Sequence, residues 1–341
     1  MGIPTLSVVM SNYNHAKYIA EALEAVLSQS FKPIEVIVID DASTDNSIEI
    51  IGGIIRNSSV VKFVKNVKNV GGIYNVNKFL NLIKGDYFYS AAADDKILPG
   101  FFEKSMELLA RYPQAGFCST RTLCIDAEGR NKGVLYVPAI LNKGGFISPE
   151  KTLALFYRHG TWMQGNTVIF RKRALIDSGG FIPELHSFCD GFMHQVIAAK
   201  YGACFIPQPL AAWRRLNDNY SIMITRDSKV YVQLVDRAKK MMLTTYRDLF
   251  SADYVNAWEK RELINFYLSH YYNLHNDVLK DLKKLNLVQG FMGRYLFGFR
   301  RLCAKIDYFI LKFYLYHRAK LCAGQLIIQR IKFFCISIWK D

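Results

Sequence analysis

The sequence lacks the cysteine patterns that mark a structural zinc site or a disulfide framework. Its seven cysteines are scattered over 341 residues, and no two of them form a Cys-x-x-Cys pair. Charged residues are not in excess either: they make up 21% of the sequence, whereas 51% is hydrophobic. This composition is typical of a globular protein with a large core and excludes an intrinsically disordered one.

Long hydrophobic runs are missing as well. No run of about 18 uninterrupted apolar residues occurs, so we predict no segment that spans a bilayer. The first residues, MGIPTLSVVM, have no basic region before their apolar run, and that run is too short for a secretory signal peptide. We therefore expect a reducing, cytoplasmic location.

Basic residues are concentrated at the end of the chain. Residues 283–341 hold twelve Lys and Arg against two Asp and Glu, a net charge of +10 out of +15 for the whole chain. Between residues 294 and 318, basic side chains recur on one helical face and apolar or aromatic ones on the opposite face. We expect this amphipathic segment to associate with the anionic inner face of the cell membrane. In the alternative interpretation, its apolar face packs on the rest of the protein and the basic residues are solvated.

Short apolar runs alternate with helical periodicity over the first hundred residues. The predicted buried strands are LSVVM (6–10), IEVIVID (34–40), VVKFV (60–64) and DYFYSAAA (86–93). Strands that alternate with helices predict parallel pairing and a doubly wound α/β sheet. Ligands of such sheets bind beyond the C-terminal ends of the strands. We therefore expect the loops SNYN, DDASTD and ADD to converge on one crevice.

The ADD triplet places two neighbouring carboxylates, Asp94 and Asp95, at the end of the fourth predicted strand. Each carboxylate raises the pKa of the other unless a cation is present. Oxygen ligands favour Mg²⁺ or Mn²⁺, ions that commonly hold substrate phosphates. One hypothesis is therefore a metal–diphosphate site in which Asp95 binds the metal and Asp94 contacts a hydroxyl. The alternative is a helix-capping aspartate beside a solvated one.

The DDASTD segment also allows two interpretations. Its aspartates and Ser43 could cap the helix that follows. Alternatively, one of the carboxylates could accept hydrogen bonds from the N–H groups of a nucleobase or the hydroxyls of a ribose.

Taken together and in chain order, these segments resemble the inverting family 2 glycosyltransferases, which have the GT-A fold. The resemblance extends over about residues 4–222. It rests on PTLSVVMSNYNHAKYIAEALEAVLSQSF, IEVIVIDDASTDNS, NVGG, GDYFYSAAADD, GGF and the CD pair at 189–190.

The resemblance implies a domain organisation. A GT-A-like, doubly wound, mostly parallel sheet is expected over residues 1–225. Its nucleotide-sugar-binding half would be 1–115 and its acceptor-binding half 116–225. A helical, basic and amphipathic region is expected over 226–341.

The resemblance also implies a donor site. Ser11, Tyr13 and Asp41 would frame the nucleoside of a sugar nucleotide. Asp94 would contact its ribose, and Asp95 would bind the Mn²⁺ or Mg²⁺ ion that holds the diphosphate.

The resemblance implies roles for two further residues, one on the acceptor side and one on the donor side. Asp190, at the start of a helix after GGF, would be the general base that deprotonates an acceptor hydroxyl, and its alternative role is an N-cap. Arg214, in the WRR segment, would contact the diphosphate. Departures from the family pattern are Cys189 in place of an acidic residue and Leu216 in place of a histidine.

The implied function is metal-dependent transfer of a sugar, with inversion, from a nucleotide-diphosphate donor, expected to be a UDP-sugar. The acceptor would be a hydroxyl of a glycan or lipid-linked glycan in cell-surface polysaccharide synthesis. One alternative is nucleic-acid binding through the basic tail, but the acidic residues at the strand ends would repel phosphate without a metal, so we expect no nucleic-acid partner. Another is a non-catalytic sugar-nucleotide binder, which would require loss of the base or the metal ligand.

Overall fold

The computed structural model describes residues 4–56, 58–216 and 227–270. They are divided between two compact units, Met1–Ala154 with Thr161–Asn219 and Leu155–Gly160 with Tyr220–Asp341. The amphipathic segment 294–318, on which the membrane prediction depends, lies outside the described residues. The division of the catalytic part into halves at residue 115 stays a prediction.

The four strands predicted near the N-terminus are all present. Strands and helices alternate there as β1 (Leu6–Asn12), α1 (Ile19–Leu27), β2 (Glu35–Asp40), α2 (Ser47–Ile55), β3 (Val61–Lys65), α3 (Gly72–Leu80) and β4 (Tyr87–Ala92). The strands form where β-branched and aromatic residues are consecutive, because such side chains pack well on a pleated surface. The helices form where apolar residues recur every three or four positions, as in α1, which buries Ile19, Ala22, Leu23 and Val26.

The remainder of the first unit is more mixed. Its elements are β5 (Lys96–Ile97), α4 (Phe101–Arg111), β6 (Phe117–Ile125), β7 (Asn131–Val134), β8 (Gly145–Ile147), α5 (Pro149–His159), β9 (Val168–Arg171), α6 (Lys172–Ile176), α7 (Cys189–Tyr201) and β10 (Ala203–Arg214). The last residues of α5 belong to the second unit. Two 3₁₀ turns, Gly165–Thr167 and Pro183–Phe188, precede β9 and α7.

In the described part of the chain, the strands form one sheet in the order β3-β2-β1-β4-β9-β6-β10-β5. The first four strands of this order run parallel, and β6 is parallel to β10. In contrast, β9 is antiparallel to both of its neighbours and β5 is antiparallel to β10. Two short strands, β7 and β8, add antiparallel pairs beside β6 and β10. The predicted doubly wound α/β sheet is confirmed.

Register within the parallel strands decides where the functional loops lie. Asn12 at the end of β1 pairs with Asp40 at the end of β2, and Ser11 pairs with Ala92 at the end of β4. The loops SNYN, DDASTD and ADD therefore begin at the same edge of the sheet. The predicted convergence of these three loops is confirmed.

Both faces of the sheet are covered. On one face, Tyr89 of β4 makes edge-to-face ring contacts with Phe101 and Phe102 of α4. On the other, Phe117 and Phe170 pack against the His194 ring of α7. This double burial explains why β1, β2 and β4 are almost continuously apolar in sequence.

The second unit contains two helices, α8 (Ser228–Leu243) and α9 (Ala252–His270). The Tyr231 and Phe266 rings stack at 4.2 Å between centroids and join α8 to α9. Arg261 of α9 donates to the backbone carbonyls of Phe156 and Tyr157, at 2.9 and 2.6 Å, and so satisfies the end of α5. None of the helices in the described ranges is long and apolar enough to cross a membrane. The helical character predicted after residue 226 is confirmed for these two elements.

Gly202, which ends α7, provides a test of the packing at the start of β10. Its φ is +69°, and a Cβ there would lie 2.5 Å from the carbonyl oxygen of Ile147. Gly202→Ala should lower the free energy of unfolding by at least about 2 kcal/mol, because it combines left-handed strain with a backbone clash. Denaturant unfolding measures this loss. The matched control is Gly53→Ala in α2, where nothing lies within 4 Å of the new methyl group. An equal loss of unfolding free energy in the two variants would contradict the tight packing described at Gly202.

Candidate active site

The loops after β1 and β2 interlock through short side chains. The Asn12 amide donates to Asp40 Oδ2 at 2.9 Å and to Ser43 Oγ at 3.1 Å. The Asn14 side-chain oxygen accepts from the backbone N–H of Thr44 at 2.8 Å. Asn14 adopts a left-handed conformation, with φ at +57°. These contacts give the loops one defined shape at the edge of the sheet.

The N-cap position of α2 is Asn46, so none of the candidate residues of DDASTD is the N-cap, although Asp45 binds the first N–H of that helix. Asp45 Oδ1 accepts from the backbone N–H of Ser47 at 3.0 Å, at the start of α2, and its Oδ2 accepts from Ala16 at 2.9 Å. Asp41 does something else, since its carboxylate points to the loop after β3.

Asp41 is 1% exposed and holds the turn that precedes α3. It accepts from the Asn66 amide at 2.7 Å and from the backbone N–H groups of Val70 and Gly71 at 3.0 and 2.8 Å. Burial alone would raise the pKa of Asp41, but these hydrogen bonds outweigh it and lower the pKa below its usual value.

A chain of amides connects Asp41 to Ser11. The Asn66 amide also donates to Asn75 Oδ1 at 2.8 Å, and the Asn75 amide donates to Ser11 Oγ at 3.2 Å. Tyr13 stands at the same edge with 43% of its surface exposed. Ser11 and Asp41 are therefore brought together, although through Asn66 and Asn75, which the sequence interpretation did not assign to the site.

Asp95 lies three residues after the end of β4 and is only 8% exposed. Its Oδ1 accepts from the backbone N–H of Arg214 at 2.7 Å. Burial, together with the neighbouring charge of Asp94, raises the pKa of Asp95 well above its usual value, and the nearby Asn166 amide only partly opposes this. The Asp95 carboxyl group therefore resists ionisation, and a cation beside it would relieve this.

The acid pair suits a metal that is shared with a substrate. Within the described ranges, no group of three or more His, Cys, Asp or Glu side chains could hold a metal ion by itself. Mg²⁺ and Mn²⁺ commonly bind through one or two carboxylates and complete their shell with water and substrate phosphates. Asp94 and Asp95 fit that kind of site.

Arg214, at the end of β10, holds both members of the acid pair. In addition to the backbone bond to Asp95, its Nε donates to the carbonyl oxygen of Asp94 at 2.8 Å. Its other guanidinium nitrogens bind Glu21 in an ion pair and the carbonyl oxygens of Asp126 and Ala127.

This placement corrects the expectation that Arg214 contacts a diphosphate. The side chain is 2% exposed, and the guanidinium lies 4.6 Å from the centre of the Tyr18 ring. Reaching a phosphate would require it to leave Glu21 and three backbone carbonyls. The geometry instead makes Arg214 a positioning residue for the loop that carries Asp95.

Asp190 occupies the first turn of α7. Its Oδ1 accepts from the backbone N–H of Gly191 at 2.7 Å, and its Oδ2 points at Gly165. The N-cap position of α7 is Phe188, so Asp190 is not the N-cap. Just before the helix, His186 has φ at +48° and ψ at −127°, a conformation rare for any residue other than glycine.

Cys189 and His194, two neighbours of Asp190 in the sequence, have structural contacts. Cys189 is buried, and its Sγ accepts from the backbone N–H of Ile182 at 3.0 Å. His194 is fully buried between two phenylalanine rings, and this burial lowers the pKa of its imidazole to about 4 although the charge of Asp190 opposes the shift. His194 is therefore neutral near pH 7.

The family model for Glycosyl transferase family 2 matches residues 7–176. The chain belongs to this family. The glycosyltransferase is 27% identical over 281 residues to the "Putative glycosyltransferase EpsE" of Bacillus subtilis, with 77% of this chain and 95% of the relative covered.

Two solved structures show the shared GT-A fold. The first is S. aureus TarS 1–349 in complex with UDP-GlcNAc, with a TM-score of 0.55, 16% identity and coverage of 93% of this glycosyltransferase and 92% of that chain. The second is the mannosyltransferase PcManGT from Pyrobaculum calidifontis in complex with GDP-Man and Mn²⁺, with a TM-score of 0.53, 16% identity and coverage of 95% and 88%.

Asp41 provides a pH-dependent test of the site in this glycosyltransferase. Asp41→Asn should lower the free energy of unfolding at pH 7 by about 2 kcal/mol, because a charged acceptor of three N–H groups is lost. Because the folded pKa of Asp41 is below its unfolded value, this contribution is present above the ordinary pKa of 3.8 and is lost as pH falls through the folded pKa. Urea unfolding at a series of pH values measures the difference between variant and wild type.

The control for this measurement is Glu24→Gln, which changes an exposed carboxylate on α1. It should leave the free energy of unfolding nearly unchanged at every pH. A difference for Asp41→Asn that grows toward acid would contradict the role given to Asp41.

Proposed function

We propose that this glycosyltransferase moves a sugar from a nucleotide-diphosphate donor to a hydroxyl of a glycan or lipid-linked glycan, with inversion at the anomeric carbon. The observation that carries the proposal is the acid pair at the end of β4, in which the buried Asp95 has a raised pKa that a cation would relieve. The similarity to structures named as complexes with UDP-GlcNAc and with GDP-Man and Mn²⁺ supports a nucleotide-sugar donor and a divalent ion. We take a UDP-sugar as the donor and surface polysaccharide synthesis as the process.

The donor would lie along the ends of β1, β2 and β4. Tyr13, Ser11 and Asp41 would border its nucleoside, and Asp94 its ribose. Asp95 would hold the Mn²⁺ or Mg²⁺ ion, and Arg214 would keep Asp95 in place from behind. When bound, such an ion supplies positive charge that stabilises the diphosphate leaving group.

Asp190 would accept the proton of the acceptor hydroxyl. The acceptor oxygen then forms a bond to the anomeric carbon while the bond from that carbon to the donor phosphate oxygen breaks. The diphosphate leaves with the electron pair, and the proton stays on Asp190. Attack from the side opposite the leaving group inverts the anomeric centre. The hydrogen bond from Gly191 orients the Asp190 carboxylate for this step.

The alternatives are not favoured by the described residues. A non-catalytic binder would lack a base or a metal ligand, whereas Asp95 and Asp190 are both present. Membrane association through the anionic inner face of the cell membrane depends on residues 283–341, which lie outside the described ranges, so it stays a prediction. The nucleic-acid alternative depends on the same residues, and the expectation of no nucleic-acid partner also stays a prediction.

Asp190→Asn should lower kcat by about a thousandfold, because the amide cannot take a proton from the acceptor. The affinity for the donor, measured by calorimetry with UDP-sugar and Mn²⁺, should stay within about twofold, since Asp190 lies on the acceptor side. Turnover close to that of the wild type would remove Asp190 as the base.

Asp95→Ala should abolish the part of the UDP affinity that depends on Mn²⁺, a loss of at least about tenfold or 1.4 kcal/mol. Thermal-shift titrations of UDP with and without Mn²⁺ measure this dependence. Asp86→Ala is the matched control, because Asp86 is an exposed aspartate that binds Thr5 just before the opposite end of β4. Equal Mn²⁺ dependence in the wild type and Asp95→Ala would refute the metal assignment.

A further inference from the structure

We propose that Gly165 and Asn166, in the 3₁₀ turn before β9, are positioning residues that fix the Asp190 carboxylate relative to the acid pair. This inference rests on the proposed function, in which Asp190 is the base and Asp95 binds the metal. Neither residue was assigned a role from the sequence.

Gly165 makes room for the base. A Cβ at this position would lie 2.2 Å from Asp190 Oδ2 and 3.3 Å from its Cγ. The φ of Gly165 lies outside the left-handed region, so its backbone conformation suits any residue. Glycine is therefore required here for space and not for backbone freedom. The carboxylate is seated directly against the peptide chain of the turn.

The turn cannot easily move away from Asp190. The Tyr89 hydroxyl donates to the carbonyl oxygen of Asn166 at 3.0 Å. The Thr167 hydroxyl donates to the carbonyl oxygen of Gln164 at 2.8 Å and contacts the Ser119 hydroxyl at 3.0 Å. Strands β4 and β6 thus hold the turn, so a group added at Gly165 would displace the short Asp190 side chain instead.

The same turn borders the acid pair. The Asn166 side chain lies beside the Asp95 carboxylate. Tyr89, which holds the Asn166 carbonyl, belongs to the strand that ends three residues before Asp95. Gly165 therefore lies against the proposed base, and the next residue, Asn166, lies near the proposed metal ligand. In an in-line displacement the anomeric carbon lies between the attacking and leaving oxygens, so the transferred sugar would sit over this turn.

The test is Gly165→Ala. We expect kcat to fall by about a hundredfold, because a displacement of about 1 Å at a reacting group can have that effect. The dissociation constant for UDP with Mn²⁺ should stay within about twofold, since the donor side is unchanged. The melting temperature should stay within about 3 °C, because a short terminal side chain moves rather than the backbone. Gly53→Ala, with open space around its Cβ, is the matched control and should keep kcat unchanged.

Three outcomes would overturn the inference or its basis in different ways. Wild-type kcat in Gly165→Ala, with an inactive Asp190→Asn, would reject the positioning role and leave the proposed function intact. Full activity in Asp190→Asn would reject the base itself. A joint fall of melting temperature and donor affinity in Gly165→Ala would show a structural role only and would also reject positioning.

A second variant decides the matter if Gly165→Ala does not fold. Tyr89→Phe keeps the ring packed on Phe101 and Phe102 but removes the hydrogen bond to Asn166. The turn should loosen, and kcat should fall by about tenfold with little change in donor affinity. Unchanged kcat in Tyr89→Phe would then overturn the inference.

Discussion

The structure of the site depends on two adjacent carboxylates at the end of β4, of which Asp95 is buried and Asp94 is half-buried. Like charges at such a position are unfavourable, and burial makes them more so. Arg214 holds the two aspartates in place. Its backbone N–H binds the Asp95 carboxylate, and its side chain binds the Asp94 carbonyl oxygen. Yet the guanidinium itself pairs with Glu21, so much of its positive charge is committed elsewhere. The acid pair is thereby held rigidly in place while its charge is left largely for a ligand to balance, which is what a site for a shared cation requires.

The sequence was sufficient for the features that depend on local pattern. Continuous β-branched runs identified the first four strands, and the order of strands and helices identified the parallel sheet, from which the convergence of the three loops followed. The bond from Asp45 to the first N–H of α2 was also foreseeable, because it involves a residue two positions away. The resemblance carried by the ordered motifs supplied Asp190, which no periodicity singles out.

Contacts between residues that are far apart in the sequence could not be predicted from local pattern. Arg214 and Glu21 are 193 positions apart, and they meet because β10 pairs in parallel with β6 and antiparallel with β5. That register, which takes Arg214 into the interior, is a property of the assembled sheet. Similarly, Asp41 faces the loop after β3 only once β2 and β3 are paired. Gly165 gives no pattern signal at all, since the need for a missing Cβ appears only when Asp190 stands beside it.

The neutral imidazole of His194 links acid tolerance to the helix that carries Asp190. Because the folded pKa of His194 is about 4 and the unfolded value is 6.5, the unfolded chain binds more protons between these values. Acidification from pH 6.5 toward 4 therefore lowers the stability of the aromatic layer beneath α7. Mild acid would thus destabilise the layer on which the helix carrying Asp190 packs.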